Sequence, residues 1–295
     1  MSALQVCGPW LTWRVLNVSG QIGWVEALVL GVVQGLTEFL PISSTAHVFV
    51  ISQLAGWPDP GAAFTAVMQI GTECAVLLYF RKDLIRIGRA WFGSWPQVGH
   101  PHSMSPDARM GWLIIAGTIP IAVLGLLFAR QIETAARNLW LVAGTLIIFG
   151  LVLAAADHWG LKRKAIDQLR LRDGVAFGFG QALALVPGVS RSGATISTGL
   201  ALGYTREASA RYAFLLAIPA VLASGFYEAT KINDAGPVAW GPTILATIVS
   251  FAVGLAVIAW LLRWVSTRSY LPFVVYRLIA GSLLIVLLST GVLSA

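Results

Sequence analysis

Long apolar stretches, separated by short polar ones, follow one another along most of the chain. An α-helix needs roughly 20 apolar residues to cross the hydrocarbon core of a bilayer, and six stretches approach that length. They extend over about 62–80, 111–129, 139–156, 207–229, 240–262 and 271–291. The pattern therefore predicts an all-α polytopic membrane protein with six transmembrane helices.

Two further apolar stretches, 24–56 and 174–203, are interrupted by polar residues. Pro41 and the serines after it break the first stretch, and Pro187-Gly188 breaks the second. Because proline removes a helix hydrogen bond and glycine loosens the backbone, each stretch is expected to form two half-helices joined by a loop. Non-helical backbone at membrane depth persists only inside protein or beside a water-filled cavity. We therefore predict two re-entrant helical hairpins.

The charges of the connecting loops predict how the helices are oriented. Lys and Arg concentrate in residues 81–110, 157–173 and 263–270, whereas the other two connecting loops are nearly neutral. Loops rich in Lys and Arg stay on the cytoplasmic side of a membrane. The three charged loops are therefore predicted to be cytoplasmic, which sends span 62–80 inward and span 207–229 outward.

The two interrupted stretches resemble each other. Residues 31–34 match residues 178–181 in Gly and Gln, and each motif is followed by a proline, a break that contains serine, and a full span. Because these two spans have opposite predicted directions, the units form an inverted-topology repeat, in which broken helices meet near the midplane and build the site. The halves cover about 23–156 and 174–295. Two polar helices in an ordinary bundle are the alternative.

Composition supports a membrane protein and argues against other classes. Hydrophobic residues make up 57% of the chain and charged residues 11%, against roughly 25% charged residues in a soluble domain. The net charge of +7 reflects cytoplasmic Lys and Arg, and no nucleic-acid partner is expected. Residues 1–22 lack the features of a signal peptide and are predicted to be an interfacial extension. Residues 23–295 are predicted to form one integral membrane domain surrounded by lipid.

Glu38 and His47 flank the first break, and Ser43, Ser44 and Thr45 lie between them. Ionisable residues in membrane segments are candidate functional residues because their burial is costly. Backbone N–H groups at a helix start, with hydroxyl groups beside them, suit a phosphate, although such hydroxyls are also ordinary N-caps. A serine three residues before a histidine, beside a carboxylate, has the parts of an activated nucleophile.

Arg191 lies in the second break, between Ser190 and Ser192 and shortly after Gly188. Its guanidinium group offers a rigid fork that matches phosphate oxygens. Pairing with a buried carboxylate such as Glu38 is the alternative, and both roles are compatible. If Arg191 lies opposite the serines, the pocket suits a phosphate ester or diphosphate. The predicted substrate therefore has an anionic head and a lipid tail.

A second pair of polar residues repeats the spacing of the first. Gln34 and Glu38 are four residues apart and share a helix face, and Gln69 and Glu73 have the same spacing on span 62–80. Glu73 is interpreted as a proton partner, as a metal ligand, or as an acid that faces a cavity and is neutralised by protonation.

Two arginines near the ends of predicted spans are assigned structural roles. Arg211 lies near the start of its span, and Arg277 lies near the cytoplasmic end of the last span. Long basic side chains near helix ends extend towards the membrane interface. We therefore expect both guanidinium groups to be interfacial.

These motifs resemble the bacterial undecaprenyl-diphosphatases of the bacitracin-resistance type. The resemblance rests on residues 31–47, GVVQGLTEFLPISSTAH, and on residues 187–195, PGVSRSGAT. Residues 214–219 and 271–277 give weaker support. The resemblance covers nearly all of the chain from about residue 23.

The resemblance implies an enzyme of the bacterial inner membrane that hydrolyses undecaprenyl diphosphate to undecaprenyl phosphate and inorganic phosphate. This reaction recycles the lipid carrier of cell-wall synthesis and confers bacitracin resistance. The family is expected to have six spans and two re-entrant hairpins, with a site open to the extracytoplasmic face. Its functional residues correspond to Glu38, Ser44, His47 and Arg191, with Ser43, Thr45 and Ser190 nearby.

Three positions differ from at least some members of the family. Gln34 stands where the family admits Glu or Gln, and Ala46 stands where a glycine is expected. Glu73 stands where some members are apolar. One hypothesis is that Glu73 replaces the acid that Gln34 lacks.

The predicted mechanism is stepwise. Arg191 and the N–H groups after Pro41 hold the diphosphate, and Ser44 attacks the terminal phosphorus with His47 as its base or orienting group. The nucleophile is left open between Ser44 and His47. Glu38 orients His47, transfers a proton, or helps to hold a divalent cation such as Mg or Ca, for which Glu73 is the other candidate ligand.

The remaining expectations concern binding and alternatives. The residues expected to bind substrate are Gln34, Ser43, Thr45, Gly188, Ser190, Ser192, Gln69 and Glu73. A transporter or flippase for lipid phosphates would use the same inverted-repeat pocket, and it is the alternative function. The sequence leaves a homodimer open.

Overall fold

The computed structural model describes residues 22–95, 104–135, 138–231 and 238–293. All long regular elements in these ranges are helices, which confirms the predicted all-α class. The predicted N-terminal extension, 1–22, lies outside the described residues apart from Ile22. The helices are α1 (Trp24–Thr37), α2 (Ser44–Leu54), α3 (Gly61–Tyr79), α4 (Arg81–Gly93), α5 (Pro106–Leu127), α6 (Ala129–Ala135), α7 (Leu139–Trp159), α8 (Leu171–Ala182), α9 (Arg191–Ala201), α10 (Arg206–Lys231), α11 (Trp240–Thr267) and α12 (Leu271–Ser289).

Several of these helices are long and apolar enough to cross a bilayer. In the described ranges there are five such helices: α5, α7, α10 as far as Gly225, α11 and α12. Helices α3 and α4 form a bent pair, and the number becomes six if this pair is one span. The chain is therefore a polytopic membrane protein. The apolar stretches of the sequence predicted these helices because helices in lipid are apolar over most of their surface.

Residues 81–93, which we expected to be part of a loop, form helix α4, and the chain bends by 74° between α3 and α4. Leu84, Ile87 and Trp91 are spaced so that they share one side of α4, and α4 packs on α5. This spacing is typical of an amphipathic helix. Arg211 reaches α4 from α10 and donates to Asp83 at 2.6 Å, with the arginine side chain about one third exposed.

Both interrupted stretches are broken where the sequence predicts. The chain leaves α1 through Pro41 and enters α2 after Ser43, and it leaves α8 through Gly188 and enters α9 after Ser190. The two serines have φ values of 75° and 70°. This left-handed backbone is costly for a residue other than glycine. Its occurrence at the same place in both breaks is a local similarity between the two hairpins.

Each hairpin packs on a long helix from the other half of the chain. Helix α1 packs on α11, and α8 packs on α5. A Cβ atom at Gly31 would approach the carbonyl oxygen of Ala246 to 2.7 Å, and one at Gly178 would collide with the carbonyl oxygen of Gly117. Helices in membranes come close where small residues meet. The first glycine of each matching motif therefore fits a close helix contact.

Our expectation that Arg277 extends to the membrane interface is wrong. The residue is 0% exposed, and its guanidinium group donates to five backbone carbonyls at 3.0–3.2 Å. The acceptors are the carbonyl oxygens of Pro41, Thr145, Leu146, Gly188 and Val189. Three of them belong to the two breaks, where carbonyls lack helical partners. A guanidinium group has five donors in a planar fork, so Arg277 replaces the missing partners.

Replacement of Arg277 by Ala is expected to lower the free energy of unfolding by about 3 kcal/mol or more, because several buried carbonyls would each lose a donor. Arg277→Lys should recover only part of this loss, since one ammonium group cannot span the same acceptors. Thermal unfolding of the purified protein in detergent measures the effect. Arg263→Ala, at an exposed arginine of α11, is the control, and equal melting temperatures for Arg263→Ala and Arg277→Ala would contradict the prediction.

Candidate active site

The two breaks meet at Glu38, which follows the last residue of α1. Nη2 of Arg191, the first residue of α9, donates to Oε1 of Glu38 at 2.7 Å. Oγ of Ser44, the first residue of α2, donates to Oε2 of the same carboxylate at 2.6 Å. Ser192 adds a hydrogen bond to the Leu40 carbonyl at 3.0 Å. Ser44 and Arg191 are therefore held on two oxygens of one side chain.

Glu38 also accepts a hydrogen bond from a residue of α1. Nε2 of Gln34 donates to Oε2 of Glu38 at 2.9 Å, as the four-residue spacing predicts. Both Glu38 and Arg191 have side chains that are mostly buried. Of the two open interpretations of Arg191, pairing with Glu38 is the one observed. The guanidinium group stays near the start of α9, where the helix dipole also favours an anion.

Glu73 brings a second carboxyl group to Arg191 from α3. It is 5% exposed, and its Oε1 lies 3.8 Å from Nη2 of Arg191. Among the described residues neither carboxyl oxygen of Glu73 has a hydrogen-bond partner. Gln69, one turn earlier on α3, is half-buried. One guanidinium group is thus shared by two buried acids, at unequal distances.

The imidazole of His47 makes its hydrogen bonds to other partners. Its Nδ1 lies 2.6 Å from the Ser43 carbonyl oxygen, and its Nε2 lies 2.6 Å from the hydroxyl of Tyr276. The predicted pairing of His47 with Ser44 is not the arrangement observed, because Ser44 at the first position of α2 turns back to Glu38. Glu38 likewise bonds to Arg191, Ser44 and Gln34 and not to the imidazole.

Tyr276 is the site residue that our sequence reasoning missed. It lies beside Arg277 in α12, is 43% exposed, and stacks its ring on His47 with ring centroids 5.5 Å apart. The available signal was the short motif 271–277, which we used for the resemblance without assigning a role to its tyrosine. A contact with His47 joins residues far apart in the chain, and periodicity carries no information about it.

The other predicted binding residues divide into two groups. In the second break, Ser190 accepts a hydrogen bond from the Gly193 N–H and caps α9, and the Gly188 carbonyl bonds to Arg277. In the first break, the Ser43 side chain makes no capping hydrogen bond and Thr45 is exposed. The capping role therefore holds for Ser190, and the start of α2 is not capped by the Ser43 hydroxyl.

The described residues do not fit a metal site formed by protein groups alone. No cluster of three or more His, Cys, Asp or Glu in the described ranges is placed to hold an ion. Glu38 and Glu73 are the two carboxylates at the site, and the guanidinium group of Arg191 lies within 2.7 Å of one and 3.8 Å of the other. A cation bound by both would have to displace it.

Comparisons with known proteins identify the family of the chain. Residues 27–283 match the family model described as bacitracin resistance protein BacA. An undecaprenyl-diphosphatase of a Nocardioides species is 58% identical over 275 residues, which cover 93% of this chain and 100% of the relative. An undecaprenyl-diphosphatase of Micrococcus luteus is 58% identical over 278 residues, or 92% of this chain and 99% of the relative. Undecaprenyl-diphosphatase 2 of Agrobacterium fabrum is 56% identical over 276 residues, or 93% and 99%.

Proposed function

Because the chain belongs to the family of bacitracin resistance protein BacA, we propose that it hydrolyses undecaprenyl diphosphate to undecaprenyl phosphate and inorganic phosphate. The observation that carries the proposal is that Ser44 and Arg191, from different hairpins, bind two oxygens of Glu38. A nucleophile, its proton acceptor and a phosphate-binding cation thus lie within hydrogen-bond reach of one carboxylate. Recycling of the lipid carrier and bacitracin resistance follow from this reaction.

Two helix starts and one guanidinium group bind the diphosphate. Helices α2 and α9 begin at Ser44 and Arg191, and the N-terminus of a helix favours anions. The diphosphate competes with Glu38 for Arg191, whose fork can engage two phosphate oxygens. Phosphoryl transfer depends mainly on positioning and on neutralisation of charge, so Arg191 supplies the main electrostatic contribution.

Ser44 is the nucleophile in this mechanism. Its oxygen forms a bond to the terminal phosphorus while its proton passes to Glu38, which already accepts it at 2.6 Å. The bond between that phosphorus and the bridging oxygen breaks, and undecaprenyl phosphate leaves with the electron pair. Water then attacks the phosphoserine and regenerates the hydroxyl. The proton on Glu38 leaves with the inorganic phosphate. His47 is free of Ser44 and serves the water or the leaving oxygen through Nε2.

Ser44→Ala is expected to lower kcat at least about 10²-fold, since nucleophile and proton acceptor act as a unit. The measurement is release of orthophosphate from undecaprenyl diphosphate by purified protein in detergent, with and without EDTA, which detects any cation requirement separately. Ser52→Ala, at a serine of α2 whose hydroxyl bonds to a carbonyl of its own helix, is the control. Near-normal turnover by Ser44→Ala would transfer the nucleophile role to His47 or water.

Glu73 supplies the second carboxyl group of the site, because position 34 is occupied by glutamine and not by an acid. It is buried, and its Oε1 lies 3.8 Å from Nη2 of Arg191. Glu73 and Glu38 therefore restrain the guanidinium group together. Glutamine at position 73 would keep the size of the side chain and lose the charge.

Glu73→Gln is expected to lower kcat roughly tenfold or more, a loss in the range of a single acid–base or charged group. Melting temperature should stay unchanged or rise, because an acid without a hydrogen-bond partner is costly when buried. The exchange variant Gln34→Glu/Glu73→Gln returns the acid to α1 and should recover most of the rate. If Glu73→Gln alone turns over normally, the second acid has no role.

Six spans and two re-entrant hairpins in an inverted repeat account for the packing. Helix α1 packs on α11 and α8 packs on α5, so each hairpin contacts the other half of the chain. These contacts and the two serines of positive φ support the arrangement. It opens the site to the extracytoplasmic side of the bacterial inner membrane, since the charged loops are predicted to be cytoplasmic. A flippase would use the same layout, but it would not need the hydrogen bond between Ser44 and Glu38. Phosphate release in detergent, where no second compartment exists, separates the two functions.

The orientation is testable by cysteine labelling in spheroplasts. In a chain with Cys7 and Cys74 replaced by Ser, a cysteine at Ala55, exposed just after α2, should react with a maleimide that does not cross membranes. A cysteine at Arg163, exposed in a charged loop, should react only after permeabilisation. The reverse pattern would invert the whole topology.

A further inference from the structure

Helix α12 contacts the site at two consecutive residues. Arg277 donates to carbonyls of both breaks, and Tyr276 places its hydroxyl 2.6 Å from Nε2 of His47. The tyrosine ring lies nearly parallel to the imidazole, at an interplanar angle of 18°. The imidazole is therefore held by a hydrogen bond at its tip and by stacking along its face.

The hydrogen bonds of His47 define one tautomer. A carbonyl oxygen only accepts hydrogen bonds, so Nδ1, at 2.6 Å from the Ser43 carbonyl, carries the proton in the neutral ring. Nε2 then has the lone pair, and the Tyr276 hydroxyl donates to it. Without this donor, Nε2 would have no partner among the described residues, and only Ser43, on its backbone of positive φ, would orient the ring.

We propose that Tyr276 is a positioning residue for the hydrolysis. Its hydroxyl orients His47 by a hydrogen bond to Nε2, and this bond breaks when a phosphate oxygen or the attacking water binds to Nε2 instead. The proposal rests on the proposed function. Tyr276 is partly exposed whereas Arg191 and Glu38 are mostly buried, so it can withdraw without unpacking the core. It acts through His47 and makes no bond to the reacting phosphorus.

A double-mutant cycle tests the proposal with Tyr276→Phe, His47→Gln and the two combined. Tyr276→Phe keeps the stacked ring and is expected to lower kcat for undecaprenyl diphosphate about three- to tenfold, the effect of one hydrogen bond, with KM within about twofold. In the His47→Gln background it should cause no further loss, because residues that act through one another are not additive. Tyr79→Phe, near the end of α3, is the control and should leave kcat unchanged.

A spectroscopic measurement makes the test independent of turnover. In protein with ¹⁵N-labelled histidine, the His47 signal, identified by its loss in His47→Gln, should report one tautomer with a proton on Nδ1. Tyr276→Phe should give a mixture of tautomers. An unchanged spectrum, an unchanged kcat, or an equal loss in both backgrounds would overturn the proposal. Absence of phosphate release by the wild-type protein would instead overturn the proposed function. The spectrum would still show whether Tyr276 fixes the tautomer of His47.

Discussion

The guanidinium group of Arg277 donates hydrogen bonds to backbone carbonyls that two broken helices leave without partners. A break leaves carbonyls without helical donors, and in an apolar interior each such carbonyl costs several kcal/mol unless a donor reaches it. Nη1 of Arg277 bonds to the carbonyls of Pro41 and Val189, one from each break. A single nitrogen thus joins the two breaks, together with the hydrogen bond from Ser192 to the Leu40 carbonyl. Glu38 lies three residues before one acceptor and Arg191 two residues after the other, which brings the carboxylate and the guanidinium group into contact.

The two hairpins share a backbone plan but carry different chemistry. In the first, Gln34 donates to Glu38, and the serine and histidine of α2 follow. In the second, Gln181 is buried, and its amide has no hydrogen-bond partner among the described residues, while Leu185 occupies the position four residues later. In the proposed mechanism the first hairpin supplies the nucleophile and the acid, and the second supplies the cation that pairs with Glu38. The two breaks differ in chemistry although Arg277 donates to backbone carbonyls of both.

Local signals in the sequence predicted the local features of this fold. Proline and glycine mark the breaks at Pro41 and Gly188, and apolar length marks the long helices. The partners of buried polar groups were harder to predict. Arg277 was expected at the interface because its position in α12 says nothing about carbonyls in loops far away in the chain. Ser44 was expected to pair with His47 because the two residues are three positions apart beside a carboxylate. The observed hydrogen bond from Ser44 to Glu38 follows a backbone of positive φ at Ser43, which has no signature in a residue other than glycine.

The packing of helices from one half of the chain on helices of the other has a consequence for biosynthesis. The ribosome delivers α1 roughly 200 residues before α11, on which α1 packs, and Arg191 and Arg277 also come from the later half. During this interval the acid of Glu38 has no cation to compensate it, and hydrocarbon is a poor solvent for it. The first hairpin is therefore among the last elements to settle, after the insertion machinery has released α11 and α12. We therefore expect neither half to fold by itself, and truncation of the C-terminal helices to remove the helix on which α1 packs.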